Sequence, residues 1–280
     1  MLPCFDPASG VGCSPLVAFA ADINTEEEIV SSPVSVPPEA ESPPMSFPER
    51  FLGVFISPGP TFEDIARRPG FIAPLIIMVL LSIAGTETFL AKIGVEPVVR
   101  WAMEHSSRTS NMSPEQMEQV LGRIVPFQTV LAHIVGVLWV PFLALLVAVV
   151  GLVTLNTIFG CGITFKVAFS VPAYAYLVNI IYSLIGIVLV VFGAPEHLIS
   201  NPQNLTPTSV GFFLNPLDTS KTLMALGSSL EGFSFWYMAL LGVGFSQASG
   251  RKVKFTPLFL IFLGLWLFVA LIKMGLATLG

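Results

Sequence analysis

The sequence predicts an all-α fold: a polytopic integral membrane bundle of five transmembrane helices, N-terminus cytoplasmic and C-terminus outside. Three observations carry this. Hydrophobic residues make up 54% of the 280-residue chain and charged residues only 11%, against about 25% charged in soluble domains, so the chain lacks the polar surface to cover a water-exposed globule. Mean hydropathy is +0.80. The apolar residues also gather into four long tracts and one shorter, on the scale of the roughly 20 residues that cross about 30 Å of hydrocarbon.

Residues 1–45 differ from the rest of the chain, being rich in Pro, Ser and Glu, as in Glu26-Glu27-Glu28. Such a segment buries too little apolar surface to offset its ordering entropy, so it reads as a disordered leader; sequence ahead of a later start codon is the alternative. No Lys or Arg precedes its weak apolar stretch at 16–21, which argues against a signal peptide. Residues 46–280 form the membrane domain. It opens with two short interfacial helices across 48–68. Phe51, Leu52, Val54 and Phe55 share a face of the first, begun by Pro48. Ser57-Pro58-Gly59-Pro60 breaks the chain, and the second starts at Thr61 with Asp64 as capping-box partner.

The spans are expected at about 71–91, 130–159, 167–192, 232–248 and 255–279. The second lies in residues 124–165, which hold no Lys, Arg, Asp or Glu. A hairpin of two helices there would make six spans. Pro141 is the only candidate break in its middle, with no turn dipeptide beside it, so one long kinked helix is the reading. Ahead of it, Ser113 with Gln116 forms a capping box and Pro114 suits the first helical position. Met117, Val120, Leu121 and Ile124 come next at helical spacing, predicting a separate amphipathic helix. The stretch 193–230 is turn-rich, with Asn201-Pro202, Thr206-Pro207 and Asn215-Pro216.

Lys and Arg near the span ends set the orientation. Arg251, Lys252 and Lys254 sit in the tight loop between spans four and five, and Arg50, Arg67 and Arg68 precede span one. The loop after span one dissents with Lys92, Arg100, Arg108 and Arg123. The inner segments are still the denser in basic residues.

Ionisable or polar groups inside a span are functional candidates by default. Glu87, near the outer end of span one, is an ion or proton site or a carboxylate snorkelling to headgroups. His133, early in span two, pairs with Glu87 if their helices touch, or is satisfied by a backbone carbonyl. Asn156 and Asn179 complete the candidate intramembrane polar set, or serve as polar glue between helices. Three cysteines (Cys4, Cys13, Cys161) have no Cys-x-x-Cys spacing, so neither a metal site nor a disulfide framework is implied. No His-Glu-x-x-His or Gly-x-Ser-x-Gly motif is present. No cofactor is implied, and the balance of charge does not suit nucleic acid. The expected contacts are the lipid bilayer, a membrane-protein or cytosolic partner, and a second copy of the chain. On the cytoplasmic side Phe51, Phe55, Phe62 and Ile65 are expected to dip into the leaflet. Arg67 and Arg68, beside Arg251, Lys252 and Lys254, complete the interaction surface; the alternative is that this segment packs on the bundle.

Phe51-Leu52-Gly53-Val54-Phe55-Ile56-Ser57-Pro58, then Thr61-Phe62-Glu63-Asp64-Ile65-Ala66, then Phe71-Ile72-Ala73-Pro74-Leu75, together with Ser170-Val171-Pro172-Ala173-Tyr174 in span three, resemble the Yip (Ypt-interacting protein) domain family in its bacterial form. The resemblance covers about 47–279. It implies a five-helix domain in the bacterial cytoplasmic membrane with a cytosolic N-terminus. Eukaryotic relatives are adaptors that bind Rab-type GTPases. Their Asp-Leu-Tyr-Gly-Pro-Leu-type signature is replaced here by Gly70-Phe71-Ile72-Ala73-Pro74-Leu75. The expected function is a non-catalytic scaffold or adaptor, with a small ion or solute transporter using Glu87 and His133 as the alternative.

Overall fold

The computed structural model describes residues 43–106 and 109–279. The leader expected over 1–45 lies almost wholly outside the described residues, as does Arg108. Every regular element among the described residues is helical.

α1 (Phe47–Ile56) starts at a capping box: the Ser46 backbone N–H and hydroxyl donate to the Glu49 carboxylate at 2.6 and 2.8 Å. A single residue, Ser57, separates it from α2 (Pro58–Arg67). The break expected over Ser57-Pro58-Gly59-Pro60 is thus confined to Ser57, and the expected start at Thr61 is corrected to Pro58. Prolines in a first turn remove only donors that the helix leaves unused. Thr61 lies inside the helix, its hydroxyl donating to the Ser57 carbonyl at 2.9 Å, and Asp64 is free to bond elsewhere. The two helices close against each other because Gly53 has no Cβ to strike the Thr61 hydroxyl.

α3 (Ile72–Lys92) and α4 (Glu96–Glu104) lead to α5 (Pro114–Val153), which continues through a π-helical turn at Thr154–Ile158. The capping box at its start forms as expected, Gln116 N–H donating to Ser113 Oγ at 3.3 Å. The amphipathic helix predicted after it is not a separate element but the first turns of α5. Pro126 and Pro141 both lie within the helix without ending it, and the hairpin alternative is excluded. At 1.5 Å per residue, the 45-residue run Pro114–Ile158 is about 67 Å long, roughly twice the hydrocarbon thickness. The run is thus longer than a single crossing requires.

α6 (Phe165–Ala175), a 3₁₀ turn at Tyr176–Val178 and α7 (Asn179–Phe192) form the third apolar run. The stretch 193–230 is more ordered than its turn signals suggested: α8 (Pro195–Ser200), a 3₁₀ turn at Val210–Phe213 and α9 (Lys221–Ser229). A buried polar knot organises it. Asn204 donates to Asn201 Oδ1 at 2.7 Å and Ser228 Oγ at 3.0 Å, and Asn201 donates to the Gly211 carbonyl at 3.0 Å.

α10 (Gly232–Ala248) and α11 (Phe255–Leu279) have the predicted bounds. Among the described residues four helices are long and apolar enough to cross a membrane: Ile72–Lys92, Pro114–Ile158, Phe165–Phe192 and Phe255–Thr278. α10, at 17 residues, is shorter. It packs against α2, α6 and α11, burying Tyr237, Leu241 and Phe245 among others. Phe245 inserts its ring where Gly151 of α5 has no side chain. α3 lies against α5 and α7, with Thr86 set into Gly136 at the crossing.

Candidate functional site

The expected interaction surface is built first by a buried charge pair. Arg50, on α1, places Nε 2.7 Å from Asp64 Oδ2 on α2, both side chains 11% exposed. Arg68 Nη1 reaches the other Asp64 oxygen at 3.4 Å. Burial works against the Arg50 charge, but hydrogen bonds to Tyr174 of α6 and to Asp64 outweigh it and hold its pKa above the ordinary value. Arg50 thereby fastens α1 to α2 and to the bundle.

A second carboxylate faces the solvent side. Glu63 accepts from Arg67 Nη2 at 2.6 Å, one turn on, and from Arg251 Nη2 at 2.9 Å, out of the α10–α11 loop. Arg251 also donates to Gln247 Oε1 at 3.0 Å. The loop turns through two consecutive left-handed residues, Gly250 (φ 64°) and Arg251 (φ 63°). Glycine adopts this conformation freely, whereas at arginine it costs about 1–2 kcal/mol. The strain aims the guanidinium back at Glu63. The result is a polar depression of about 440 Å³ lined by Glu63, Ala66, Arg67, Gln247, Gly250 and Arg251, with Lys252 and Lys254 exposed beside it.

The aromatic part of the expected surface requires correction. Phe62 and Ile65 are fully buried, with Phe62 against Gly244 of α10. Their face is needed to seat the hairpin on the bundle, so they are unavailable to a leaflet. Phe51 and Phe55 are partly buried in a ring stack that runs Phe47, Phe51, Phe55, Trp236 at centroid spacings of 6.3, 5.7 and 6.0 Å. The apolar side chains that α1 exposes are Leu52 and Ile56, the latter 80% exposed.

The intramembrane candidates separate into three places. Glu87 Oε1 and His133 Nε2 meet at 3.1 Å between α3 and α5, both side chains about half exposed. His133 Nδ1 is bonded to the Thr129 carbonyl at 2.7 Å, so both environments weighed for it occur together. Asn156 lies 23 residues along the α5 run, about 35 Å from His133. It closes the loop after α5, donating to the Ile163 carbonyl at 2.9 Å and accepting from its N–H at 2.8 Å, while Gly160 and Gly162 supply the positive φ that the turn requires. Asn179 donates to the Tyr176 carbonyl at 3.3 Å and smooths the passage from α6 to α7.

Sequence reasoning missed Asp64 and Glu63 as the organising groups. The Glu63–Arg67 spacing was legible as an i,i+4 pair; the 14-residue Arg50–Asp64 separation and the Glu63–Arg251 contact carried no local signal.

Four crossing-length apolar helices and a polar hairpin clamped to one end define a polytopic α-helical membrane protein. The family model of the Yip1 domain matches residues 52–271, and the chain belongs to that family. It is similar to "Membrane protein YknW" of Bacillus subtilis (strain 168), 28% identical over 209 residues that cover 72% of this chain and 80% of that protein. No solved structure matches it.

Proposed function

We propose that the protein is a non-catalytic membrane scaffold or adaptor of the bacterial cytoplasmic membrane, with five spans, a cytoplasmic N-terminus and an external C-terminus. α10 serves as the fifth span: its 17 residues reach about 25 Å, at the short end of what crosses a bilayer. The orientation rests on charge. The hairpin end carries Arg50, Arg67, Arg68, Lys166, Arg251, Lys252 and Lys254 against Glu49, Glu63 and Asp64, the basic excess expected of a cytoplasmic side.

The observation that carries the scaffold reading is the Glu63 bridge between Arg67 and Arg251. It joins an N-terminal hairpin to a loop 188 residues away, so that two remote segments present one composite basic face. A face held together by strain and bridging charges suits recognition of a protein or an anionic surface. The test is site-specific photo-crosslinking from Ile56 in native membranes, comparing the unmodified chain with Lys252→Glu/Lys254→Glu. Partner adducts should vanish while the variant inserts and stays folded. Adducts that survive the reversal remove the proposed site.

A second reading, a small ion or solute transporter, draws on the 3.1 Å Glu87–His133 pair. Flux in proteoliposomes that Glu87→Gln abolishes would replace the scaffold reading.

A further inference from the structure

At the end of the molecule away from the hairpin lies a cavity of about 790 Å³. Three helices each contribute a face to it, and the turns at 203 and 216–220 complete the lining. α9 turns Lys221, Met224, Ala225 and Ser228 toward it at helical spacing, and α11 turns Lys273, Leu276 and Ala277. α4 adds Trp101 and His105, their rings stacked with centroids 4.5 Å apart.

The lining combines cationic and apolar side chains. Lys221 and Lys273 both face it and no carboxylate does; among the described residues neither lysine has an ion-pair partner. Asp218, next to the lining Thr219, is bonded to the Asn215 amide. Arg100 of the neighbouring α4, by contrast, is paired with both Glu96 and Glu118, at 2.8 and 2.7 Å. His105 Nδ1 is engaged with the Trp101 carbonyl at 2.8 Å, leaving Nε2, a donor when the ring is protonated. Trp101, Leu217, Met224 and Leu276 supply the apolar part of the lining. Lys273 and Leu276 belong to Phe255–Thr278, a helix long and apolar enough to cross a membrane, and they lie in its last two turns, where Leu276 is 63% exposed.

Two ammonium groups with no ion-pair partner among the described residues, beside apolar side chains near the end of a helix of crossing length, match a group that is anionic at its head and apolar below. We propose that this crevice holds the headgroup phosphate of an anionic phospholipid, Lys221 and Lys273 on the phosphate and the acyl chains descending past Leu276. The assignment does not depend on which way the chain faces.

The test is native mass spectrometry of the full-length protein in mild detergent with phosphatidylglycerol or phosphatidylcholine. The wild type should retain one phosphatidylglycerol that Lys221→Gln/Lys273→Gln binds roughly thirtyfold more weakly. Lys252→Gln/Lys254→Gln, at the other end, should keep that lipid, and Lys221→Arg/Lys273→Arg, which preserves both charges should the Gln pair fold poorly, should keep it too. The proposal is overturned if the Gln variant holds phosphatidylglycerol as the wild type does, or if the Arg variant loses it. It is equally overturned if phosphatidylcholine fills the same site, or if millimolar inorganic phosphate displaces the lipid and binds in its place.

Discussion

Arg50 and Asp64, fourteen residues apart on successive helices, meet at 2.7 Å in a site where both side chains are nearly withdrawn from solvent. The pair makes the first twenty residues of the membrane domain a fixed part of the bundle. Removing one member of such a pair leaves an uncompensated charge in a medium that solvates it poorly.

Asp64→Ala should therefore lower unfolding stability in detergent by about 3 kcal/mol or more. The double variant Arg50→Met/Asp64→Leu should lose much less, because no charge is stranded. Thermal unfolding of the two side by side checks this; equal losses would show that the pair adds nothing beyond packing volume.

Phe245 of α10 occupies the space that Gly151 leaves on α5. Gly151→Leu should push the helices apart at a cost of about 1–3 kcal/mol, while Gly264→Leu, at a position with open space around it, should leave the melting temperature almost unchanged. Similar shifts for both would contradict the packing described.

Labelling of single cysteines, introduced after replacing Cys4, Cys13 and Cys161, reads the proposed topology. Asp218→Cys should react with an impermeant thiol reagent from outside, and Lys252→Cys only after the membrane is opened. Asp218 is exposed, whereas Asn204 in the same stretch is 2% exposed in the polar knot and would not react. A C-terminal reporter after Gly280 that reads cytoplasmic would overturn the five-span count.

The Glu49 carboxylate is held below its usual range by the Ser46 backbone N–H and then by the Ser46 hydroxyl. A carboxylate with a lowered folded pKa contributes stability that is present above the unfolded value, about 4.3. That contribution is lost as pH falls through the folded value below it. Protection of the α1 amides, taken relative to their intrinsic exchange rates, should fall over that acid window in the wild type, with a weaker pH dependence in Glu49→Ala. Identical acid profiles would dismiss the capping box as a contributor.

Composition and apolar run lengths were enough to place this chain in the membrane as a helical bundle. Gly232–Ala248 and Phe255–Leu279 were legible to the residue because polar turns bound them, and the Ser113–Gln116 box marked where α5 starts. These are local effects: hydrophobic burial, capping and backbone donors act within a few turns, so the order of residues reports them. The same logic misplaced the start of α2, since Thr61 and Asp64 also fit an N-cap pattern that prolines at the first turn made unnecessary. It also set Phe62 and Ile65 against lipid, because an apolar face on a short helix reads the same whether its neighbour is a leaflet or a protein. Only the tertiary structure chose between the two, by seating that face on α10. It likewise chose the partners of Asp64 and Glu63, paired Glu87 with His133 while leaving Asn156 and Asn179 to local bonds, and brought Lys221 and Lys273 to one crevice. Charge pairing between remote segments depends on distance in space, which falls off within a few ångströms and leaves no periodic trace along the chain.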